Sequence, residues 1–285
     1  MKLHHSKIWF ASAVFLAMFT VWNFSFMSFL KSFSVLIHEI CHASVILISG
    51  GGLEKIHLTP FESGEVLGKI SGWSYLPAVS AGYIGSSLFG GYLLQKGFST
   101  ESARIQTAFI SFILSFFTLF YTDTLSYAQI TGIIWSLLLF VCIFIPEKIH
   151  SMFLIFLGVS CAMYSIYDLT DFTGNIELTD AGLLASGSRQ MLRSTGLDIS
   201  LKKLSYIIAG SWSLISIFTV VFFLKKTFIR NFTEGEYGLE EMLAEYSKGR
   251  VATDTAEWFL KKGIDLNGKP LPEKILKEIR SKENK

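Results

Sequence analysis

Two histidines stand four residues apart in the run HEICH, at His38 and His42, and Glu39 directly follows the first. Residues four apart lie on the same face of an α-helix, so both imidazoles can bind one zinc ion. Glu39 would then lie beside the metal, where it can take a proton from water. The spacing therefore predicts a zinc site with a general base.

The residues around this motif are strongly apolar over a length sufficient for a membrane helix. Ionisable side chains inside a bilayer cost free energy, and those that are present there are usually functional. The alternative is that the two histidines cap or pack the helix without any metal. Because that alternative places His38, Glu39 and His42 in lipid without a role, the sequence favours a metal site.

A catalytic zinc site needs a third protein ligand, and two aspartates near the end of a later apolar segment are candidates. Asp168 and Asp171 are three residues apart, hence on one side of a helix that continues through the membrane boundary. We favour Asp168 as the ligand because it lies deeper in the segment, with Asp171 as the alternative. These acids could instead cap the helix end or face water.

The composition is typical of an integral membrane protein. Of the 285 residues, 51% are hydrophobic and only 17% are charged, which is unusual for a water-soluble domain. The net charge of +2 is too small to indicate a nucleic-acid partner. The cysteines at Cys41, Cys142 and Cys161 lie in apolar segments without CxxC spacing, which indicates core residues rather than disulfides.

Seven apolar windows have about the length of a membrane span, since a bilayer core of about 30 Å needs about 20 helical residues. They are residues 8–28, 32–49, 74–95, 105–121, 127–145, 149–167 and 203–224. The first two nearly join, so we expect a break between Asn23 and Ser34, with Lys31 as a turn residue. The sequence thus predicts an all-α polytopic membrane protein with about seven transmembrane helices.

A short β-hairpin is predicted directly after the motif helix. The triple glycine at 50–52 ends the helix, and residues 53–70 then alternate between apolar and polar side chains around a turn. Such a hairpin could offer a strand edge to an extended peptide. A plain surface loop is the alternative interpretation.

Small side chains recur every four residues along the third apolar window, at Ala78, Gly82, Ser86 and Gly90. They would form a smooth stripe on one helix face, which allows another helix to approach closely. We expect this stripe to pack near the site and hold the motif helix, although generic packing of two spans would use the same pattern.

Charge separates the chain into two parts. Residues 231–285 carry 21 of the 48 charged side chains, so we place a boundary near residue 230. Residues 1–230 would form a membrane-embedded domain that contains the HExxH motif. Residues 231–285 would form a charged soluble tail with short amphipathic helices that could dock on a partner or on the membrane. Basic residues directly after the last span predict a cytoplasmic tail: Lys225, Lys226 and Arg230.

Four short sequence motifs follow one another along the chain. They are HEICHA at 38–43, the triple glycine at 50–52, SAGYIGSSLFG at 80–90, and YDLTD at 167–171 with TDA at 179–181. In this order and spacing they resemble the site-2 protease family of membrane-embedded zinc metallopeptidases, specifically its short B-type branch. The resemblance implies a polytopic protease with Zn²⁺ as cofactor, two histidine ligands, a glutamate base and an aspartate ligand near the end of a later span.

The chain departs from the family pattern at two points. The family usually has glycine before the second histidine, where this chain has Cys41. Better-known members have their third ligand in an Asp-Gly pair after an Asn-Pro stretch, which is missing here. The choice among Asp168, Asp171 and Asp180 as third ligand therefore stays open.

Our leading hypothesis from the sequence is hydrolysis of peptide bonds in or near transmembrane segments of substrate proteins, within the lipid bilayer. Glu39 would act as the base, and His38, His42 and Asp168 would hold the metal. The main alternative is a non-catalytic membrane protein of the same fold that acts as a binding partner or chaperone. A metal or proton transporter is less favoured, because several of the spans are nearly free of polar residues.

Overall fold

The computed structural model describes residues 2–22, 24–60, 63–70, 72–99, 102–167 and 176–233, with a few short stretches between 259 and 277. Its described helices are α1 Lys2–Val21, α2 Ser28–Ile48, α3 Tyr75–Phe98, α4 Arg104–Tyr121, α5 Tyr127–Cys142, α6 Glu147–Tyr167, α7 Asp180–Ser194 and α8 Leu201–Thr233. Strands β1 Gly52–Leu58 and β2 Gly64–Lys69 lie between α2 and α3.

The chain divides into two compact units, residues 7–224 and residues 1–6 together with 225–285. The contacts described below all lie within residues 7–224. Of the predicted amphipathic helices of the tail, only Leu276 and Lys277 lie within the described residues. The predicted boundary at residue 230, and the soluble character of the tail, stay predictions.

The predicted windows all fall on helices. However, fewer than seven of these helices are both long enough and apolar enough to cross a membrane. Three described helical stretches are long and apolar enough to cross a membrane: Ser25–Ile48, Arg104–Tyr121 and Leu201–Lys226. Two shorter apolar stretches accompany them, Ser6–Val21 and Tyr127–Cys142. The seven predicted transmembrane helices are therefore not confirmed, whereas a mostly helical fold with three candidate spans and a small hairpin is. Helix α7 was not predicted at all.

The chain breaks between α1 and α2, inside the predicted interval. Residues Ser25–Met27 form a single 3₁₀ turn, and α2 begins at Ser28. The prediction of Lys31 as a turn residue is wrong, because Lys31 lies within α2 and is buried. Its ammonium lies 5.2 Å from the centre of the Trp22 ring. The negative face of the indole offsets part of the cost of burying this charge.

Helix α2 lies at the centre of the helices and packs against α3, α5, α6 and the hairpin. Its residues are buried on nearly all sides from Leu30 to Ile40. A helix that is apolar all round is stable only when other elements surround it. The HExxH motif is therefore carried on a helix that other elements enclose.

Helix α3 packs closely against α6 through glycines. A Cβ atom placed on Gly90 would lie 2.8 Å from the Ala162 nitrogen, and one on Gly158 would lie 2.9 Å from the Gly90 carbonyl. The predicted small-residue stripe therefore contacts two neighbouring helices, α2 and α6. Its first two residues, Ala78 and Gly82, face the histidines of α2, whereas Gly90 faces α6.

The predicted hairpin is present, and its two strands are antiparallel with Ile56 opposite Val66. Gly50 ends α2 with a φ of +76°, which is the left-handed conformation that glycine adopts most easily. Ile56 and Leu58 of β1 are buried in the core. The hairpin therefore rests on α2 and is anchored through β1.

Helix α8 runs parallel to α3 and meets it at regular intervals. The Tyr83 ring stacks on Trp212, and the Ser87 hydroxyl donates a hydrogen bond of 2.6 Å to that of Ser216. Five of the buried residues that the structure describes in α8 are spaced alternately by four and three positions: Ser205, Ala209, Trp212, Ser216 and Thr219. Leu204 beside them is buried as well. This spacing gives α8 one narrow buried face towards the other helices.

Candidate metal centre

The side chains of His38, His42 and Asp180 meet at a single point. The Nε2 atoms of the two histidines are 3.0 Å apart, and the Asp180 Oδ2 lies 3.0 Å from that of His38 and 3.1 Å from that of His42. Both histidines are buried, with exposed fractions of 3% and 7%. The three atoms form a nearly equilateral triangle suited to a single metal ion.

This donor set fits a catalytic zinc ion. Two imidazoles and one carboxylate, with a fourth position left open, are a common zinc coordination in hydrolases. Ligand atoms around tetrahedral zinc are about 3.3 Å apart, given bonds of about 2.0–2.1 Å. The triangle would need to widen by only a few tenths of an ångström.

The orientation of His42 is fixed by a hydrogen bond from its other ring nitrogen. Its Nδ1 donates to the Ala78 carbonyl oxygen of α3 at 2.6 Å. A proton on Nδ1 leaves the lone pair of Nε2 free for a metal ion. Ala78, the first residue of the predicted stripe, therefore acts through its backbone rather than through its small side chain.

The room for the two imidazoles comes from Gly82 of α3. A Cβ atom at this position would overlap the Nε2 atoms of both His38 and His42. Any side chain at residue 82 would occupy the position where the ligand atoms converge. Glycine at this point of the stripe is therefore required by the site itself, not only by helix packing.

The carboxylate of Asp180 is presented by the first residue of α7. The Thr179 hydroxyl caps this helix by accepting a hydrogen bond of 3.4 Å from the Gly182 nitrogen. Helix α7 is not among the candidate membrane spans. Burial raises the pKa of the Asp180 carboxyl, but hydrogen bonds with His38 and His42 outweigh that effect and hold the pKa below its usual range.

An apolar cluster holds α7 in place. Val79 and Tyr83 of α3, Ile176 before α7, Ala181 and Leu184 of α7, and Ala209 and Trp212 of α8 pack together. The Tyr75 hydroxyl also donates a hydrogen bond of 2.8 Å to the Leu183 carbonyl oxygen. These contacts place the start of α7 beside α2, although the two are distant in the sequence.

The favoured third ligand from the sequence, Asp168, and its alternative Asp171 both lie outside the described residues. Asp180, which the sequence left open as a further choice, is the carboxylate that the described part of the chain brings to the histidines. A signal for it was present in the sequence. Thr179 and Asp180 directly precede apolar residues at helical spacing, which is a typical helix start.

Glu39 lies beside the triangle, on the wall of a cavity of about 520 Å³. Its side chain is buried, with 5% of the residue exposed. It packs against Gly64 of the hairpin, since a Cβ atom placed on Gly64 would lie 2.7 Å from the Glu39 Cγ. The cavity also touches His42, Asp180, the start of α3 and β2, so Glu39 and two side chains of the triangle share one space.

The three cysteines are all free. Cys41, the residue that departs from the family pattern, points towards α3 and not towards the triangle. It therefore leaves the ligand atoms of the neighbouring histidine unobstructed.

Comparison with known proteins gives one match. A family model described as Peptidase M50B-like matches residues 11–224 of this chain. The matched region contains His38, Glu39, His42 and Asp180, together with the hairpin and α3. No curated protein and no solved structure matches the chain.

Proposed function

The chain belongs to the Peptidase M50B-like family, as the resemblance to the B-type branch of site-2 proteases implied, and we propose that it is an intramembrane zinc metalloprotease. Its substrates would be membrane proteins, cut in or near a transmembrane segment. The observation that carries this proposal is the meeting of His38, His42 and Asp180 beside Glu39 at one cavity.

The roles of the side chains follow from their positions. A zinc ion bound to the triangle would supply Lewis acidity, which polarises a scissile carbonyl group and lowers the pKa of water. Glu39 stands on the cavity wall, where it can take a proton from the attacking water and deliver it to the leaving amine. Its burial in a site of low polarity would strengthen its interaction with the reacting groups.

The hairpin is the proposed holder of the substrate. The backbone groups of a transmembrane helix are paired within the helix, so the segment must unwind before a peptide bond becomes accessible. Gly64, Glu65 and Val66 of β2 line the cavity, and among the strands that the structure describes β2 pairs with β1 alone. An unwound substrate segment could pair with the other edge of β2 and lie extended beside Glu39.

The proposed function requires that the site lie in or at the membrane. We propose that all seven predicted windows cross or enter the bilayer, with α7 at its surface as the carrier of Asp180. The charged tail, residues 231–285, would be cytoplasmic and would bind a partner protein.

The proposal is tested with purified, detergent-solubilised protein and the variants Glu39→Gln and His38→Ala. We expect about one zinc per chain in the wild type and in Glu39→Gln, and loss of zinc in His38→Ala. Cleavage is assayed by co-expression with a panel of tagged single-span membrane proteins. It should be present for the wild type and absent for both variants.

Two outcomes would oppose the proposal. Cleavage by Glu39→Gln at the wild-type rate would remove Glu39 from its role as base. Folded wild-type protein that takes up no zinc, even after supplementation, would favour the non-catalytic alternative, in which the same fold acts as a binding partner or chaperone.

A further inference from the structure

The two histidines of the centre are held in different ways. His42 donates a hydrogen bond from Nδ1 to a backbone carbonyl, as metal-binding histidines usually do. The Nδ1 of His38 is buried and has no hydrogen-bond partner within the described part of the chain. Apart from the contacts of Nε2 within the triangle, the orientation of the His38 ring therefore depends on contacts of the ring itself.

Aromatic rings supply those contacts. The rings of His38 and Tyr83 are perpendicular, with a centroid distance of 4.8 Å and an interplanar angle of 87°, and those of His38 and Tyr164 are perpendicular at 5.7 Å and 86°. Perpendicular arrangements at these distances are favourable, because the positive edge of one ring faces the negative face of the other. Tyr83 makes the closer of the two contacts.

Tyr83 is itself fixed from behind. Its ring stacks on Trp212 of α8 at 5.1 Å with an interplanar angle of 21°, and 2% of the residue is exposed. One turn further along both helices, α3 and α8 are in contact again, because Ser87 hydrogen-bonds to Ser216. The ring therefore has little freedom to move when the metal is absent.

The same ring also belongs to the cluster that holds α7. Tyr83 and Trp212 pack with Ile176, Ala181 and Leu184, on either side of Asp180 in the sequence. One side chain thus contacts a ligand from α2 and supports the helix that presents the ligand from α7. No other described residue is placed in both the His38 ring contacts and this cluster.

We propose that Tyr83, backed by Trp212, is a positioning residue of the metal centre, which aligns His38 and the start of α7 for binding one metal ion. This inference rests on the proposed zinc centre. Tyr83 would act through the shape and position of its ring and not as a ligand. It replaces, for His38, the hydrogen bond that orients His42.

The test measures zinc affinity by competition with a chromophoric chelator, in detergent-solubilised wild type and in Tyr83→Phe, Tyr83→Leu and Trp212→Leu. Phenylalanine keeps the ring, so we expect wild-type affinity for Tyr83→Phe. Loss of an indirect support typically weakens metal affinity by about 10- to 100-fold, which is the effect expected for both leucine variants. Trp212→Leu leaves Tyr83 in place and serves where Tyr83→Leu does not fold.

A matched control lies at the other end of α2. Phe29 stacks on Trp135 at 4.6 Å and 13°, away from the triangle. Phe29→Leu removes a comparable aromatic contact from the same helix and should leave zinc affinity unchanged. The absorption spectrum of bound Co²⁺ gives a second readout, which should change in Tyr83→Leu but not in Phe29→Leu.

Each other outcome has a definite meaning. Wild-type zinc affinity with an unchanged Co²⁺ spectrum in folded Tyr83→Leu and Trp212→Leu overturns this inference and leaves the zinc protease intact. Equal weakening by Phe29→Leu, or by Tyr83→Phe, overturns it as well, because the effect would then not belong to the ring at this position. A wild type that binds neither metal overturns the proposed function together with the inference.

Discussion

Cys41 of α2 lies directly against Gly85 of α3. A Cβ atom placed on Gly85 would lie 2.6 Å from the Cys41 Sγ and 2.7 Å from its Cβ. The family usually has a glycine at the position of Cys41, and here the glycine that makes room lies on the opposite helix. The larger side chain before the second histidine is therefore accommodated, and the two helices can still approach closely.

This relationship predicts a compensating pair of substitutions. Gly85→Ala alone should destabilise the protein by about 1–3 kcal/mol, as overpacking of a tight core does. Adding Cys41→Gly should restore most of the loss, because it removes the atoms that the new methyl group meets. Thermal unfolding of the single and double variants measures this coupling. Additive effects in the double variant would show that the two positions are independent.

Gly82→Ala should abolish zinc binding and cleavage together. The new methyl group would overlap the Nε2 atoms of His38 and His42, where the proposed zinc ion would bind. Gly210→Ala is the matched control. Like Gly82, Gly210 lies inside a helix, but a Cβ atom placed on it meets nothing within 4 Å. Zinc content by mass spectrometry decides the matter. Full zinc occupancy in Gly82→Ala would contradict the geometry of the centre.

Gly64→Ala should separate chemistry from metal binding. Its methyl group would displace the carboxylate of Glu39, while the histidine ligands are not among its near contacts. We expect normal zinc content and a loss of cleavage of about 100-fold, the lower range of what a general base contributes. Gly52→Ala, on the other strand, meets its nearest atom only at 4.0 Å and should behave as wild type. A comparable loss in both variants would point to general damage of the hairpin.

Asp180→Ala should lose zinc, while Asp168→Ala and Asp171→Ala should retain it. The reason is that the Asp180 carboxylate lies 3.0 and 3.1 Å from the ligand nitrogens of the two histidines. Zinc content after dialysis against a weak chelator compares the three variants under the same conditions. Loss of zinc only in Asp168→Ala would restore the ligand first favoured from the sequence.

The features that the sequence predicted are local ones. The hairpin follows from a triple glycine and a period of two, and the motif helix from apolar residues on all sides. The placement of both histidines on one face needs only the periodicity of a helix, and the structure indeed brings their Nε2 atoms to 3.0 Å. In each case neighbours within a few residues determine the result.

The features that the sequence did not predict depend on distant contacts. Helix α7 is amphipathic and not apolar, so a search for membrane spans passed over it. Asp180 therefore stayed one of three open choices for the third ligand and was not the favoured one. Lys31 was expected in a turn because it is charged, but Trp22 provides a ring face that allows its burial. The room for Cys41 comes from Gly85, 44 positions further along the chain. No local pattern at Cys41 reveals that glycine.

The hydrogen bonds of the triangle join residues that are 138 and 142 positions apart in the chain. A metal ion at this point would therefore close a very long loop, much as a disulfide does, and would restrict the unfolded chain far more than a ligand held by neighbouring residues. Binding and folding would be linked, so α7 should be the element whose amide protons gain most protection from exchange when metal is added. The third ligand thus gives the metal a structural task in addition to its chemical one.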